Sequence, residues 1–256
     1  MSMLAPGAYA RLGVRHPLAL DLGTSTVRVW TPLHGAVVAE PAVVARIPSG
    51  GHAVGRAAID LRAASGAKLV WPVRHGVVED LAACVHLLRV VAAATGRPGG
   101  DLSPVVVGVP ATATLRQKHL LVAVVRRALG GRVSTVEEPL AAALACPADL
   151  DRDDIVAIDI GRGRTEMARI ADRGVAAAER VDVPNAVDQV PLIAAAVRRL
   201  GAHPACAGRR RLLITGGGAA QPGLAAQLAA LTGRTVTMPA DPHLATLADL
   251  RLLLTG

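Results

Sequence analysis

Phenylalanine is absent from this sequence, and aromatic residues make up only 1% of it. With 52% of the residues hydrophobic, any core must therefore be aliphatic, built from Ala, Val, Leu and Ile. Lysine is nearly absent as well: Lys68 and Lys118 stand alone, so the net charge of +8 is an arginine charge. These arginines are scattered and lack the interleaved aromatics on which bases stack, which argues against a nucleic-acid partner. Cys84, Cys146 and Cys206 are widely spaced, with no Cys-x-x-Cys pair and no histidine at metal-ligand spacing. That pattern excludes a zinc framework and suits small apolar residues in a reducing compartment. No apolar run approaches the ~20 residues that span a bilayer, and the first residues lack the order of a signal peptide. The expected location is cytoplasmic. Residues 1–17 read as a tail, in which Met3, Leu4, Tyr9 and Leu12 offer a segment able to touch a membrane surface.

What the chain does contain is a repeated device. Leu18 to Trp30 is an apolar run broken at Asp21 and Gly23, after which strand-like alternation resumes. It reads as a β-hairpin whose turn, Gly23, Thr24, Ser25 and Thr26, points backbone N–H groups and small hydroxyls at an anion, while Asp21 reaches a magnesium ion through water. Ile155 to Ile170 repeats the plan with Asp159, Gly161, Arg162 and Gly163. A third glycine cluster, Gly216, Gly217 and Gly218, ends the apolar strand Arg211–Thr215 and lets a backbone come close to a ligand.

Around these motifs the order is hairpin, strand and helix, given twice. Two short strands around Glu40-Pro41 complete a first meander, and a helix runs over 56–64. A second helix begins after Glu79-Asp80 with Leu81, Val85, Leu88 and Ala92 inward. The unalternating run Val105–Val109 is a strand covered on both faces. Leu121, Val124, Val125 and Ala128 define the buried face of the next helix, ended by Gly130-Gly131. After the Ala-rich helix behind Glu137-Glu138-Pro139, a solvated acidic loop, Asp149–Asp154, leads to the second hairpin. The basic run Arg209–Arg211 reads as a solvated loop ahead of its strand. The expected division is a tail over 1–17, a first lobe over 18–146 and a second over 147–256.

These motifs, in this order and each at the end of an apolar strand, resemble the superfamily of actin, heat-shock chaperone and sugar-kinase ATPases. The likeness is to the bacterial actin branch of MreB and Mbl. It is carried by Asp21-Leu-Gly-Thr-Ser-Thr26, Asp159-Ile-Gly-Arg-Gly-Arg-Thr-Glu166 and Leu213-Ile-Thr-Gly-Gly-Gly-Ala219. It continues in Glu40-Pro-Ala-Val-Val-Ala45, Trp71 to Asp80, Val107-Gly-Val-Pro110, Glu137 to Ala143 and Asp241-Pro242. The resemblance implies a duplicated α/β, ribonuclease H-like fold of two lobes and an ATP-binding cytoskeletal protein that contributes to cell shape and cell-wall growth. Asp21 and Asp159 would hold Mg2+, the two hairpin turns would take the β- and γ-phosphates, and Gly216 to Gly218 would face the adenosine. Gln117, on the helix after the Val-Pro strand, would orient the attacking water. An amide cannot accept that water's proton, so hydrolysis would be slow. The implied partners are copies of the chain itself in a filament, a full-length MreB-like protein, the cell-wall-synthesis machinery and a membrane surface.

Two departures qualify the resemblance. The interval from Asp159 to Thr215 is much shorter than in the family, which removes the outer subdomain of the second lobe. Arg162 and Arg164 stand where the family has a glycine and a small hydroxyl. Each guanidinium either pairs with a phosphate or fills its place, and a residue replacing a glycine of positive φ would cost about 1–2 kcal/mol. A non-catalytic actin-like scaffold that binds partners is therefore the alternative reading. A small-molecule kinase of the same superfamily would need inserted substrate-binding segments that so compact a chain lacks.

Overall fold

The computed structural model of the chain describes residues 16–47, 51–144, 152–162, 164–182, 186–201 and 209–255. The tail expected over 1–17 lies almost wholly outside them, as do Gly163, Cys146 and Cys206. Packing divides the chain into two units. One takes the described residues up to Val107, with Thr114–Thr135 and the stretch from Leu250 on. The other takes Gly108–Ala113 and Val136–Asp249.

The first unit opens with β1 (Leu18–Leu22), β2 (Thr26–Trp30) and β3 (Val37–Pro41), an antiparallel meander. Two short strands lie on either side of the Glu40-Pro41 corner, as expected, but only the first, β3, belongs to the meander. The chain then leaves the meander for a small sheet of β4 (Val44–Arg46), β5 (His52–Val54) and, beyond α1 (Arg56–Ser65), β6 (Lys68–Val70). Glu40 anchors the start of α1, where its carboxylate accepts the Arg56 N–H at 2.9 Å. A turn of positive φ at His75 and Gly76 joins β7 (Val73–Arg74) to β8 (Val77–Val78).

Helix α2 (Leu81–Ala93) begins where the acidic pair placed it, with the Asp80 side chain capping the Ala83 N–H. Of the residues expected inward, Val85, Leu88 and Ala92 are buried and only Leu81, at 47%, is exposed; Cys84, Leu87 and Val91 are buried beside them, so the apolar face is wider than expected. Burial pushes the Cys84 thiol up to about 12, with the Asp80 charge adding to it, so this cysteine behaves as a small hydrophobe. Then come β9 (Val105–Val109), α3 (Leu115–Leu129), β10 (Val133–Glu137) and α4 (Glu138–Leu144), of which α4 packs within the second unit. β9 lies parallel to β1, and the completed sheet runs β10-β9-β1-β2-β3.

The second unit repeats that order. β11 (Asp154–Gly161), β12 (Arg164–Ala171) and β13 (Gly174–Val181) form the meander, and α5 (Ala186–Leu200) follows. β14 (Arg210–Thr215) lies parallel to β11; α6 (Leu224–Thr232), β15 (Thr235–Thr237) and α7 (Ala245–Thr255) complete the series. The sheet order β13-β12-β11-β14-β15 matches the first sheet strand for strand, which is the expected duplication. β11 shows why its sequence does not alternate. Val156, Ile158 and Ile160 pack with Ile193 and Val197 of α5, while Ile155 and Ala157 pack on the other face with Ala142 and Ala143 of α4. In the first unit a small sheet follows the meander. In the second, among the described residues, only α5 separates β13 from β14, as expected of a shortened actin-like fold.

Of the two charged stretches expected in solvent, Arg209 and Arg210 are exposed and residues 149–151 lie outside the described residues, but Asp153, Asp154 and Arg211 are structural. Arg210 and Arg211 open β14, where Arg211 pairs with Asp153 at 2.6 Å. Asp154 opens β11, buried against Arg234 at 2.6 Å. Asp153 and Asp154 lie at the start of β11 and Arg210 and Arg211 at the start of β14, which pair, so these charges neutralise across the sheet.

Candidate functional site

The turn of the first hairpin closes with the Gly23 N–H donating to the Thr26 carbonyl at 3.0 Å. A Cβ on Gly23 would meet that same carbonyl oxygen at 3.0 Å, which is why glycine suits the position. The Thr24 hydroxyl accepts the Gly76 N–H at 3.1 Å, tying the turn to the His75-Gly76 bend and leaving the hydroxyl proton to donate elsewhere. The Ser25 hydroxyl oxygen is buried without a hydrogen-bond partner. Two hydroxyls with proton to give, beside a tight turn, suit an anion.

Asp21 lies at 7% exposure, and burial pushes its carboxyl up against the opposing pull of Arg28. The Arg28 Nη1 donates to Asp21 Oδ2 at 2.9 Å. Reading the motif alone missed Arg28. The signal was present in the hairpin: with the turn fixed at Gly23–Ser25, Asp21 and Arg28 fall opposite each other. A magnesium ion at Asp21 would meet the guanidinium as a like charge.

Gln117 serves the start of α3. Its side-chain oxygen accepts the Thr114 N–H at 2.8 Å, and the Thr114 hydroxyl accepts the Gln117 N–H at 3.3 Å, a reciprocal capping box. Its carbonyl oxygen is thus spent on the cap in this state.

In the second unit, the Thr215 hydroxyl lies between the Ile158 carbonyl at 3.1 Å and Asp159 Oδ1 at 3.4 Å, which ties the start of the second turn to the end of β14. Among the described residues no three His, Cys, Asp or Glu side chains cluster as a ready-made metal site. Arg162 is exposed and does not adopt positive φ, so the backbone penalty expected of it is not incurred. Arg164 is buried on β12 and turned toward Glu138 of α4, with Nη2 3.9 Å from Oε2. The motif's last residue, Glu166, is fully buried and accepts the Ala111 N–H at 2.7 Å, the Thr112 N–H at 2.9 Å and the Thr112 hydroxyl. It fixes the turn just after β9, a role the motif gave no sign of.

The triple glycine is shaped by the strand beside it. Gly216 has φ +87°, and a Cβ there would lie 2.5 Å from Asp159 Oδ1 and 2.6 Å from the Ile160 carbonyl. The Gly218 N–H donates to that carbonyl at 2.8 Å, and a Cβ on Gly218 would strike the Ile160 side chain. Gly217 alone is exposed, with only His243 near its missing Cβ. The glycines at 216 and 218 are therefore required by close packing on β11, a reason independent of any ligand.

Two units with the same meander-plus-parallel-strand sheet, each ending its first strand in an Asp-x-Gly turn, define an actin-like protein. Solved structures agree on the fold. The chain matches MreB5 of Spiroplasma citri bound to ADP with a TM-score of 0.80 and 17% identity, over 94% of this chain and 97% of that one. It matches the MamK double helical filament with a TM-score of 0.77 and 18% identity, over 95% and 99%. The profile of the MreB/Mbl protein family matches residues 15–199. The chain belongs to the MreB/Mbl family. Its curated relatives include the cell shape-determining protein MreB of Escherichia coli K12 and that of Salmonella typhimurium LT2. Each is 30% identical over an alignment of 173 residues that covers 62% of this chain. The match spans about half the length of those relatives, 49%. No helix among the described residues is long and apolar enough to cross a membrane.

Proposed function

We propose that this protein is an actin-like cytoskeletal element of the MreB kind that binds ATP with magnesium, turns it over slowly at most, and contributes to cell shape and cell-wall growth. The observation that carries the reading is the first turn, where the Ser25 hydroxyl is buried without a partner and Thr24 keeps a proton to donate. In this reading Gly23 to Thr26, with Gly161, Arg162 and Gly163, hold the phosphates, and Gly217 is the glycine that faces adenosine. Asp159 holds the magnesium shell, while Asp21 joins it only if Arg28 gives way. Relatives of the same fold are named as bound to ADP or AMPPNP, or as a filament, which supports nucleotide binding and self-association. Purified protein with ATP and magnesium should show a raised melting temperature and should pellet as filaments visible by electron microscopy. Monomers at every concentration, with no thermal shift, would overturn the proposal.

A specific observation favours a second reading, an actin-like scaffold that binds partners without catalysis. The two groups catalysis would need are both engaged, Gln117 in the α3 cap and Asp21 with Arg28. Nucleotide binding without measurable phosphate release distinguishes it from an ATPase.

A further inference from the structure

The last turns of α2 and α3, with the connection that follows α2, enclose a cavity of about 480 Å³ within the first unit. Arg89, Arg97, Arg126 and Arg127 line it beside Gly99 and Gly100, and no acidic side chain is part of the lining. Helix C-termini attract cations because their last carbonyls are unsatisfied. Here that demand is already met. Arg97 Nη2 donates to the carbonyls of Ser103 at 3.0 Å, Asp101 at 3.2 Å and Leu129 at 3.4 Å, and its Nη1 to that of His16. Arg89 donates to the Arg127 carbonyl at 3.1 Å.

Positive charge remains beyond what these carbonyls take up. Arg97 is 5% exposed, and its Nε is buried with no hydrogen-bond partner. Its one acidic neighbour, Asp101, stands 3.8 Å away with Oδ1 already accepting the Ser103 N–H at 2.6 Å. Arg126 and Arg127 are exposed and have no ion pair with any described residue. A guanidinium fork fits the oxygens of a phosphate in pairs, and the volume admits a group the size of a small phosphate ester.

We propose that this cavity binds a phosphate-bearing anion, held by Arg126 and Arg127 at its mouth with Arg97 at its base. The chemistry is common to a soluble phosphate ester and a phospholipid headgroup. Calorimetric titration with inorganic phosphate and sn-glycerol 3-phosphate tests the first source. Sedimentation with phosphatidylcholine vesicles doped with phosphatidylglycerol tests the second. Binding in either arm should survive Ser25→Ala, which separates this cavity from the phosphate turn. The same binding should weaken about tenfold or more in the double variant Arg126→Gln/Arg127→Gln. Arg126→Lys/Arg127→Lys, which keeps charge but loses the fork, should bind between the two, and a melting curve without ligand shows that each variant folds. Equal binding by wild type and the double glutamine variant, or binding in neither arm, would overturn the proposal.

Discussion

Arg28 on β2 stands opposite Asp21 on β1, with its Nη1 2.9 Å from Asp21 Oδ2. A motif residue expected to serve a metal is thereby paired within its own hairpin. Arg28→Ala leaves the buried carboxylate unpaired and should cost on the order of 3–5 kcal/mol near neutral pH. The carboxyl pKa of Asp21 is already raised by burial, and losing Arg28 raises it further. A group with a raised folded pKa stabilises most when protonated, so the variant's deficit should shrink as pH falls. Urea melts of both proteins across the acid range check this.

Asp249 carries the same sign in a second place. Burial at 4% exposure pushes its carboxyl up to about 7 from 3.8. Its contribution to stability is greatest below the ordinary carboxylate pKa and is lost as pH rises toward 7. The melting temperature of Asp249→Asn should therefore lie above that of wild type at pH ~8 and converge with it in acid.

The two arginines of the second turn should behave differently. Arg162→Ala removes an exposed side chain and should change stability by less than about 0.5 kcal/mol. Arg164→Ala empties a buried position beside Glu138 and should cost several-fold more, on the order of 2 kcal/mol. Thermal melts of the two variants, and of the pair with Glu138→Ala, measure the difference.

At the head of α3, Thr114→Ala should cost about 1 kcal/mol through the lost cap. If Gln117 acts on water it must leave that box, so Thr114→Ala should not slow phosphate release, and any release should fall with Gln117→Ala. A phosphate-release assay run beside the melts separates the two roles.

Much of the fold could be read from residues because it rests on local patterns. The unalternating runs at Val105–Val109 and Ile155–Ile160 mark strands covered on both faces, and Pro110 and Gly161 mark where they end. What could not be read depended on pairing between distant segments. Asp153 and Asp154 lie more than fifty residues from Arg211 and eighty from Arg234, so the sequence shows two solvated runs where the sheet makes ion pairs. The exposure of Leu81 in α2 escaped for a related reason: it satisfies the helical period shared by the buried Val85, Leu88 and Ala92, yet what packs beside its first turn decides its exposure. At the candidate site the glycines were found, but their strict packing against Ile160 and Asp159 was not, since it requires β14 to be placed beside β11.

Nucleotide binding at the first turn is tested most simply by a calorimetric titration of the full chain with ATP and magnesium, repeated on Ser25→Ala. Saturable binding is expected of the wild type, and weaker binding of the variant at an unchanged ligand-free melting temperature. An absence of heat and of thermal stabilisation in the wild type would contradict a nucleotide site there, and so would equal affinity in the two proteins.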